Sequence, residues 1–252
     1  MSAFAAEWIK LRTLRSTRWP LGLTVVVAGG MAYLIGISFA HANPATLHYD
    51  AMFASFYSLS FAQLALVVFA VVAVSGEYGS GTIRPSLAAV PRRTAFYLAK
   101  IGAVALCTAG AAALSVAVSF AAAQAGLGAR LRTSPGADGV AGTVAGAWLY
   151  LVLIALFAAG VAQALRSTAL TLGVLLPVFF LGSQGVGNIP GVRRVAQFLP
   201  DQAGVTILHF FGNPDSPDYD RAYGPWGGLG ILALWAAAAL AAGLLTLRRR
   251  DA

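Results

Sequence analysis

The chain has 252 residues, of which 58% are hydrophobic and only 10% are charged, and its 17 basic residues exceed its 9 acidic residues by eight. An average soluble domain is about 45–50% apolar and about 25% charged, so this composition excludes a disordered chain and argues against a soluble enzyme. The single cysteine, Cys107, excludes a disulfide scaffold and a cysteine-based metal site.

The N-terminal segment, residues 1–18, has the pattern of a helix that lies on a membrane surface. One face of that helix is apolar and its shoulders are basic, through Phe4, Trp8, Leu11, Lys10 and Arg12. An amphipathic helix with an interfacial tryptophan suits the inner membrane surface, just before the chain enters the bilayer. A basic flank that only sets the topology is the alternative.

Six stretches without Asp, Glu, Lys or Arg are each longer than 20 residues. A helix that crosses the hydrocarbon core of about 30 Å needs roughly 20 apolar residues, so the sequence predicts an all-α membrane protein with six spans. A β-barrel is disfavoured, because its strands are about 9–11 residues long and alternate in polarity. The predicted spans, which form a single transmembrane domain, are 20–40, 51–74, 99–125, 144–165, 168–187 and 226–247.

The basic residues are distributed unequally between the segments that connect these spans. Twelve lie on the side of the N-terminus and five on the other side, whereas six of the nine acidic residues lie on that other side. The positive-inside rule therefore predicts that both termini are cytoplasmic. The excess positive charge suits anionic lipid headgroups, and no continuous basic face for nucleic acid is visible.

Residues 75–98, between the second and third spans, predict a short cytoplasmic helix. Two glycines interrupt the second span, Thr82 can cap a new helix, and Pro91 ends it. Ile83 and Leu87 share one apolar face, which suits docking in a groove of a partner protein; an interfacial helix without a partner is the alternative. The glycine spacing lacks the lysine of a phosphate loop, so nucleotide binding by this segment is rejected.

The remaining chain offers few candidates for catalysis, for metal or cofactor binding, or for contact with a substrate. The long loop 188–225 holds loosely spaced aspartates that do not predict a metal site. Lys100 is the only charged residue within the predicted spans, and no catalytic or cofactor-binding group is predicted. Gln63, Ser119 and Gln163 are polar residues inside spans, which indicates either hydrogen bonds between helices or a weakly polar substrate path.

Two stretches carry a resemblance to a known family. The first is the N-terminal run Glu7-Trp8-Ile9-Lys10-Leu11-Arg12. The second consists of Glu77, Tyr78, Gly81, Thr82, Ile83, Arg84, Leu87, Pro91, Arg92 and Arg93, followed by Lys100. On these residues the chain resembles the membrane permease subunit of a type-2 ATP-binding cassette (ABC) exporter, and most closely the short permeases of high-GC Gram-positive bacteria.

This resemblance implies a division of labour between subunits. Residues 1–18 would be an elbow helix, and residues 77–93 would dock on a separate ATPase, with Glu77 as a polar link and with Ile83 and Leu87 as apolar contacts. Two ATPases, which bind ATP and Mg, would work with two permeases, identical or homologous, in a bacterial plasma membrane. This chain would form the substrate path without being an enzyme and without binding a cofactor.

Two alternatives of other classes stay open at this point. The chain could be a membrane scaffold or assembly subunit that transports nothing itself. It could also be an energy-independent channel or a secondary carrier.

Overall fold

A computed structural model describes residues 3–42, 50–183, 192–210 and 221–249. Within these ranges the structure is helical and contains no strand, which confirms the predicted all-α class. The helices are α1 (Ala3–Thr13), α2 (Arg15–Ala40), α3 (Ala51–Phe56), α4 (Leu59–Gly79), α5 (Ile83–Ala89), α6 (Arg93–Leu131), α7 (Val140–Leu165), α8 (Thr168–Ser183), α9 (Arg193–Ala196), α10 (Pro200–Gly204) and α11 (Pro225–Arg249). A 3₁₀ turn, Val205–Leu208, follows α10.

Five helical segments of the described chain are long and apolar enough to cross a membrane: α2, α3 with α4, α6, α7 and α11. The remaining apolar helix, α8, has 16 residues and contains Pro177. At about 1.5 Å per residue it is about 24 Å long, short of a hydrocarbon core of about 30 Å. The predicted fifth span, 168–187, ends outside the described residues, so a sixth crossing and the cytoplasmic termini stay predictions.

The middle of the bundle is occupied by α4. About 72% of the apolar window in α3 and α4 is buried, against 28% in α2 and 28% in α11. Helix α4 contacts α2, α6, α7 and α8, and its Leu66 and Phe69 are fully buried together with Tyr150 and Ile154 of α7. A movement of α4 therefore has to be accommodated by most of the other helices.

Helices α2 and α6 approach each other closely because small residues meet at their crossing. A Cβ atom on Gly36 would lie 2.7 Å from the carbonyl oxygen of Ala123, and one on Gly126 would lie 2.6 Å from that of Tyr33. Real Cβ atoms do not come this close to backbone oxygens, so both positions need glycine. Small residues that let two backbones touch are typical of helix packing in membranes.

The bundle has two ends, which we call the α5 end and the α10 end. At the α5 end, Arg166 and Arg93 each donate a 2.9 Å hydrogen bond to a carbonyl near the end of α11, those of Thr246 and Leu247 respectively. Such bonds satisfy carbonyls that a helix C-terminus leaves unpaired. The α10 end is where α8 finishes and α11 begins.

Candidate functional site

The chain between α4 and α6 adopts the break and short helix that the sequence predicts. Gly81 has φ of 71°, in the left-handed region that favours glycine, and α5 begins two residues later. Thr82 occupies the N-cap position, but its side chain makes no capping bond and instead lies 2.9 Å from the Ser80 hydroxyl. Thr82 therefore occupies the predicted N-cap position, but its side chain does not form the hydrogen bond that a capping residue makes. Pro91 follows the end of α5.

The apolar face of α5 points toward the chain's own core. Ile83 is only 4% exposed, and Leu87 is half-buried against the same core. Ile83 therefore packs on the chain's own core, and the contact with a partner that was expected of Ile83 and Leu87 stays a prediction. The physical reason is that α5 has only seven residues and follows α4 after a tight turn, so its apolar face packs on the bundle. The face that α5 exposes consists of Arg84, Pro85, Ala88 and Ala89.

Four charged side chains meet where α4 ends, and we call them the four-charge network: Glu7, Lys10, Glu77 and Lys100. The Lys100 ammonium lies 2.7 Å from Glu77 Oε2 and 3.5 Å from Glu7 Oε2. Lys10 donates to Glu77 Oε1 and lies 3.8 Å from Glu7 Oε2. The network joins α1, α4 and α6 through side chains that are far apart in sequence.

Burial makes this network energetically demanding. Lys100 is 1% exposed, Glu77 is 4% exposed and Glu7 is 7% exposed. Burying a charge costs several kcal/mol unless a partner compensates it, and here two carboxylates face two ammonium groups. Burial, together with the charge of Lys100, lowers the pKa of Lys10 to about 8, so Lys10 still carries its proton at neutral pH.

The N-terminal helix α1 packs on the bundle through Leu11, one of its predicted apolar residues, whereas Phe4 is 40% exposed. Leu11 is buried, and its carbonyl accepts a 2.9 Å hydrogen bond from the Thr17 hydroxyl in α2. The rings of Phe4 and Trp8 are stacked with centroids 6.5 Å apart, and the Arg12 guanidinium lies 5.7 Å from the Trp8 centroid. Helix α1 is thus attached to the bundle by packing as well as by the four-charge network.

Tyr78, the neighbour of Glu77, connects α4 to the other half of the bundle. Its hydroxyl accepts a 2.6 Å hydrogen bond from the Gln163 amide, and the Arg166 guanidinium lies 5.4 Å from its ring centroid. Arg166 in turn donates to the carbonyl of Thr246 in α11. Gln163, which the sequence offered as part of a substrate path, is 1% exposed and lies at the α5 end.

The basic residues that follow α5 differ in their surroundings. Arg92 is exposed, whereas Arg93 is partly buried and bonds to the carbonyl of Leu247. One turn further along α6, the Tyr97 hydroxyl donates a 2.8 Å hydrogen bond to the carbonyl of Leu240. The start of α6 is therefore held to the end of α11.

Gln63 and Ser119 are fully buried and hydrogen-bonded inside the chain. The Gln63 side chain accepts a hydrogen bond from the Tyr150 hydroxyl and donates one to a carbonyl of its own helix. Ser119 lies 2.8 Å from the Ser58 hydroxyl and donates a 2.6 Å bond to the carbonyl of Ser55. These contacts favour hydrogen bonding between helices over a polar path through one chain.

Three members of the four-charge network, Glu7, Lys10 and Lys100, were not among the coupling residues predicted from the sequence, and Lys10 was predicted only for the membrane-surface helix. Lys100 did carry a usable signal, because a lone lysine in an apolar span needs a carboxylate partner. On the predicted cytoplasmic side the acidic residues are Glu7, Glu77 and Asp251. Among the described residues, no group of three His, Cys, Asp or Glu could hold a metal ion.

No protein-family model matches the chain, and no curated protein matches it significantly.

Proposed function

We propose that this chain is the permease subunit of an ATP-driven exporter of the ABC type, and that a separate subunit hydrolyses ATP. The observation that supports this most is the position of two adjacent residues in the last turn of α4. Glu77 is tied to α1 and α6, and Tyr78 is tied to α7 and, through Arg166, to α11. A push on the short helix α5 therefore reaches both halves of the bundle.

The exposed face of α5 is the docking surface in this proposal. Arg84, Pro85, Ala88 and Ala89 give it one positive charge and small side chains. A groove on the ATPase that carries acidic residues would fit such a face. When ATP draws two ATPases together, the α5 helices of two permeases would follow, and α4 would pass the movement on.

The substrate path lies between two permeases in this proposal. Gln63 and Ser119 already use their hydrogen-bonding groups inside one chain. Only 28% of the apolar window of α2 and 28% of that of α11 is buried in the single chain, which leaves surfaces for lipid and for a second permease, identical or homologous. A bundle whose spans are apolar suits an amphipathic or lipid-like cargo. In this proposal the chain lies in a bacterial plasma membrane, with both termini cytoplasmic.

The direct test is co-purification of the chain with an ABC ATPase encoded beside it. The variant Arg84→Glu with Ala88→Glu changes only exposed residues of α5, and we expect it to lower ATPase recovery at least about tenfold, since like charges at an interface cost several kcal/mol. The matched control, Arg130→Glu with Ala129→Glu, changes exposed residues at the α10 end and should leave recovery unchanged.

Three outcomes would redirect the proposal. If the α5 variant retains the ATPase as well as the control does, α5 is not the docking surface. If the complex forms but no compound stimulates its ATP hydrolysis in a screen of amphipathic cargoes, a scaffold subunit becomes the better account. A chain that moves substrate in vesicles without any ATPase would be a channel or carrier.

A further inference from the structure

A second buried polar cluster lies at the α10 end, far from the four-charge network. Asp201 and Gln202 in α10 are each 2% exposed. The Gln202 amide donates a 2.9 Å hydrogen bond to Asp201 Oδ2, but Asp201 Oδ1 and Gln202 Oε1 have no hydrogen-bond partner among the residues that the structure describes. Buried polar atoms are rarely left unpaired, and an unpaired buried carboxylate is especially costly.

These two side chains line a cavity of about 210 Å³ between α8, α9 and α10. The rest of its described lining is apolar or small: Val178, Leu181, Gly182, Val192, Ala196 and Leu199. Gly182 lies against the acidic group, since a Cβ atom there would overlap the Asp201 carboxylate and lie 2.6 Å from Gln202 Nε2. The glycine leaves the room that the carboxylate occupies.

We propose that this cavity binds a primary ammonium group that carries a short alkyl chain. The N–H groups would donate to the Asp201 carboxylate and to the Gln202 amide oxygen, and the alkyl chain would contact the apolar wall. Two sources share this chemistry: the headgroup of phosphatidylethanolamine and a soluble alkylamine.

Other occupants fit the cavity less well. A calcium ion takes about 6–8 oxygen ligands, and the described lining offers two unpaired side-chain oxygens. The volume is several times the roughly 30 Å³ that one water occupies in the liquid, so a bare monovalent ion would leave most of the cavity empty. A neutral alcohol could donate one hydrogen bond but would leave the carboxylate charge uncompensated.

The groups around Asp201 leave its charge unbalanced within the described chain. From α7, the titratable group that faces it is Tyr150. Helix α8 holds no Asp, Glu, Lys, Arg or His, and the arginines of α11 are at the α5 end. The basic residues nearest in sequence, Arg193 and Arg194 in α9, are not among the lining residues, and His209 after the 3₁₀ turn lies 2.9 Å from Asp50.

Proton binding by Asp201 competes with the ammonium group. Burial raises the pKa of Asp201 to about 6, although hydrogen bonds from the Gln202 side chain and from backbone N–H groups oppose that rise. The carboxylate is therefore almost fully ionised at pH 7.5, and about one-tenth of it is ionised at pH 5. Binding of an ammonium ion is expected to be about tenfold weaker at pH 5 than at pH 7.5.

The test is calorimetric titration of the purified full chain in detergent with butylammonium. We expect saturable binding at pH 7.5, an affinity about tenfold lower at pH 5, and a loss of at least about tenfold in both Asp201→Asn and Gly182→Ala. Asp138→Asn, which neutralises an exposed aspartate, is the matched control and should bind as the parent does. Since the pH arm uses the unmodified chain, it does not depend on how the variants fold.

Two chemical controls separate an ammonium site from a merely apolar cavity. Butyltrimethylammonium has the charge without N–H donors, and butanol has a donor without the charge; both should bind at least about tenfold more weakly than butylammonium. Equal affinity for either control, or undiminished binding of butylammonium by Asp201→Asn, would overturn the proposal.

The two sources are separated in lipid nanodiscs. If a lipid headgroup occupies the cavity, nanodiscs of phosphatidylethanolamine lower the apparent affinity for butylammonium relative to nanodiscs of phosphatidylcholine. Equal affinity in the two lipids assigns the site to a soluble amine.

Discussion

The two ends of the bundle treat buried charge in opposite ways. At the α5 end, Glu77 and Lys100 compensate each other and are joined by Glu7 and Lys10. At the α10 end, Asp201 is buried, and one of its oxygens has no partner in the described part of the chain. A closed network holds helices together, which suits the transmission of movement. An open network leaves a buried charge that a ligand of opposite charge can neutralise, which suits binding.

The largest effect is expected from opening the closed network. Glu77→Leu leaves Lys100 buried without its nearest carboxylate, and breaking a buried ion pair in this way costs about 3–5 kcal/mol. The free energy of unfolding, measured in detergent with a chemical denaturant, reports this loss. After this substitution the α5 end, like the α10 end, would hold a buried charge without a full set of partners.

The matched control removes both partners of that pair. Glu77→Leu with Lys100→Met replaces two charges by apolar side chains of similar size and leaves Glu7 and Lys10 to pair with each other. Replacing a buried pair by apolar groups is often neutral, so most of the lost stability should return. If the double variant is as unstable as Glu77→Leu, loss of packing rather than an unpaired charge explains the effect.

The next largest effect is the dependence of folding stability on pH that the buried Asp201 carboxylate causes. The pKa of Asp201 is about 6 in the folded chain, above the ordinary value of 3.8, so the folded chain binds more protons than the unfolded chain between these values. Stability contributed by the protonated group is therefore present below about pH 4 and is lost as the pH rises through 6, by about 3 kcal/mol.

This dependence is measured by unfolding the parent and Asp201→Asn in detergent at a series of pH values. The difference in unfolding free energy between the two chains should change with pH between 4 and 6 and stay constant above 7. A constant difference over the whole range would mean that Asp201 is not the buried group described above.

The smallest effect concerns a carboxylate at the α10 end that does have partners. Asp50 caps α3 by accepting hydrogen bonds from the backbone N–H groups of Met52 and Phe53, at 2.7 and 3.1 Å, and it lies 2.9 Å from His209. Asp50→Ala is expected to cost about 1 kcal/mol, as is usual for an N-cap. The exposed Asp138, changed to Ala, is the control that should cost little.

The pKa of Asp50 gives this prediction a pH signature opposite to that of Asp201. Burial alone would raise the pKa, but the hydrogen bond and charge of His209 and the capping bonds lower it overall. The stability that Asp50 contributes is thus present above its ordinary pKa of 3.8 and is lost as the pH falls below that value. Unfolding measurements at pH 3 and pH 7 on the parent and Asp50→Ala would show the difference shrink at low pH.

Much of the fold follows from the sequence because charges are so unevenly placed along it. The apolar runs between them predicted the five long helical segments, and Gly81 and Pro91 delimited α5. The burial of Ile83 could not be predicted, because an amphipathic pattern shows that a face will be covered without showing what covers it. The burial of Asp201 could not be predicted either, because it depends on the tertiary packing of a short helix in a loop. The residues on either side of Asp201 in the sequence do not distinguish it from an exposed aspartate.

Some predictions fall outside the described residues. These are the end of the fifth span and parts of the loop 188–225. The ion pairing of Lys100 could have been predicted, since a lysine in an apolar span admits few carboxylate partners.

The central claim is that α5, and not the opposite end of the bundle, meets an ATPase. Site-specific photocrosslinking tests it directly, with benzoylphenylalanine placed at Ala88 in α5 or at Ala129 at the α10 end, both of which are exposed. In cells that co-express the neighbouring ABC ATPase, we predict a crosslinked adduct from position 88 and none from position 129. An adduct from position 129, or no adduct from position 88 when the two proteins co-purify, would contradict the account.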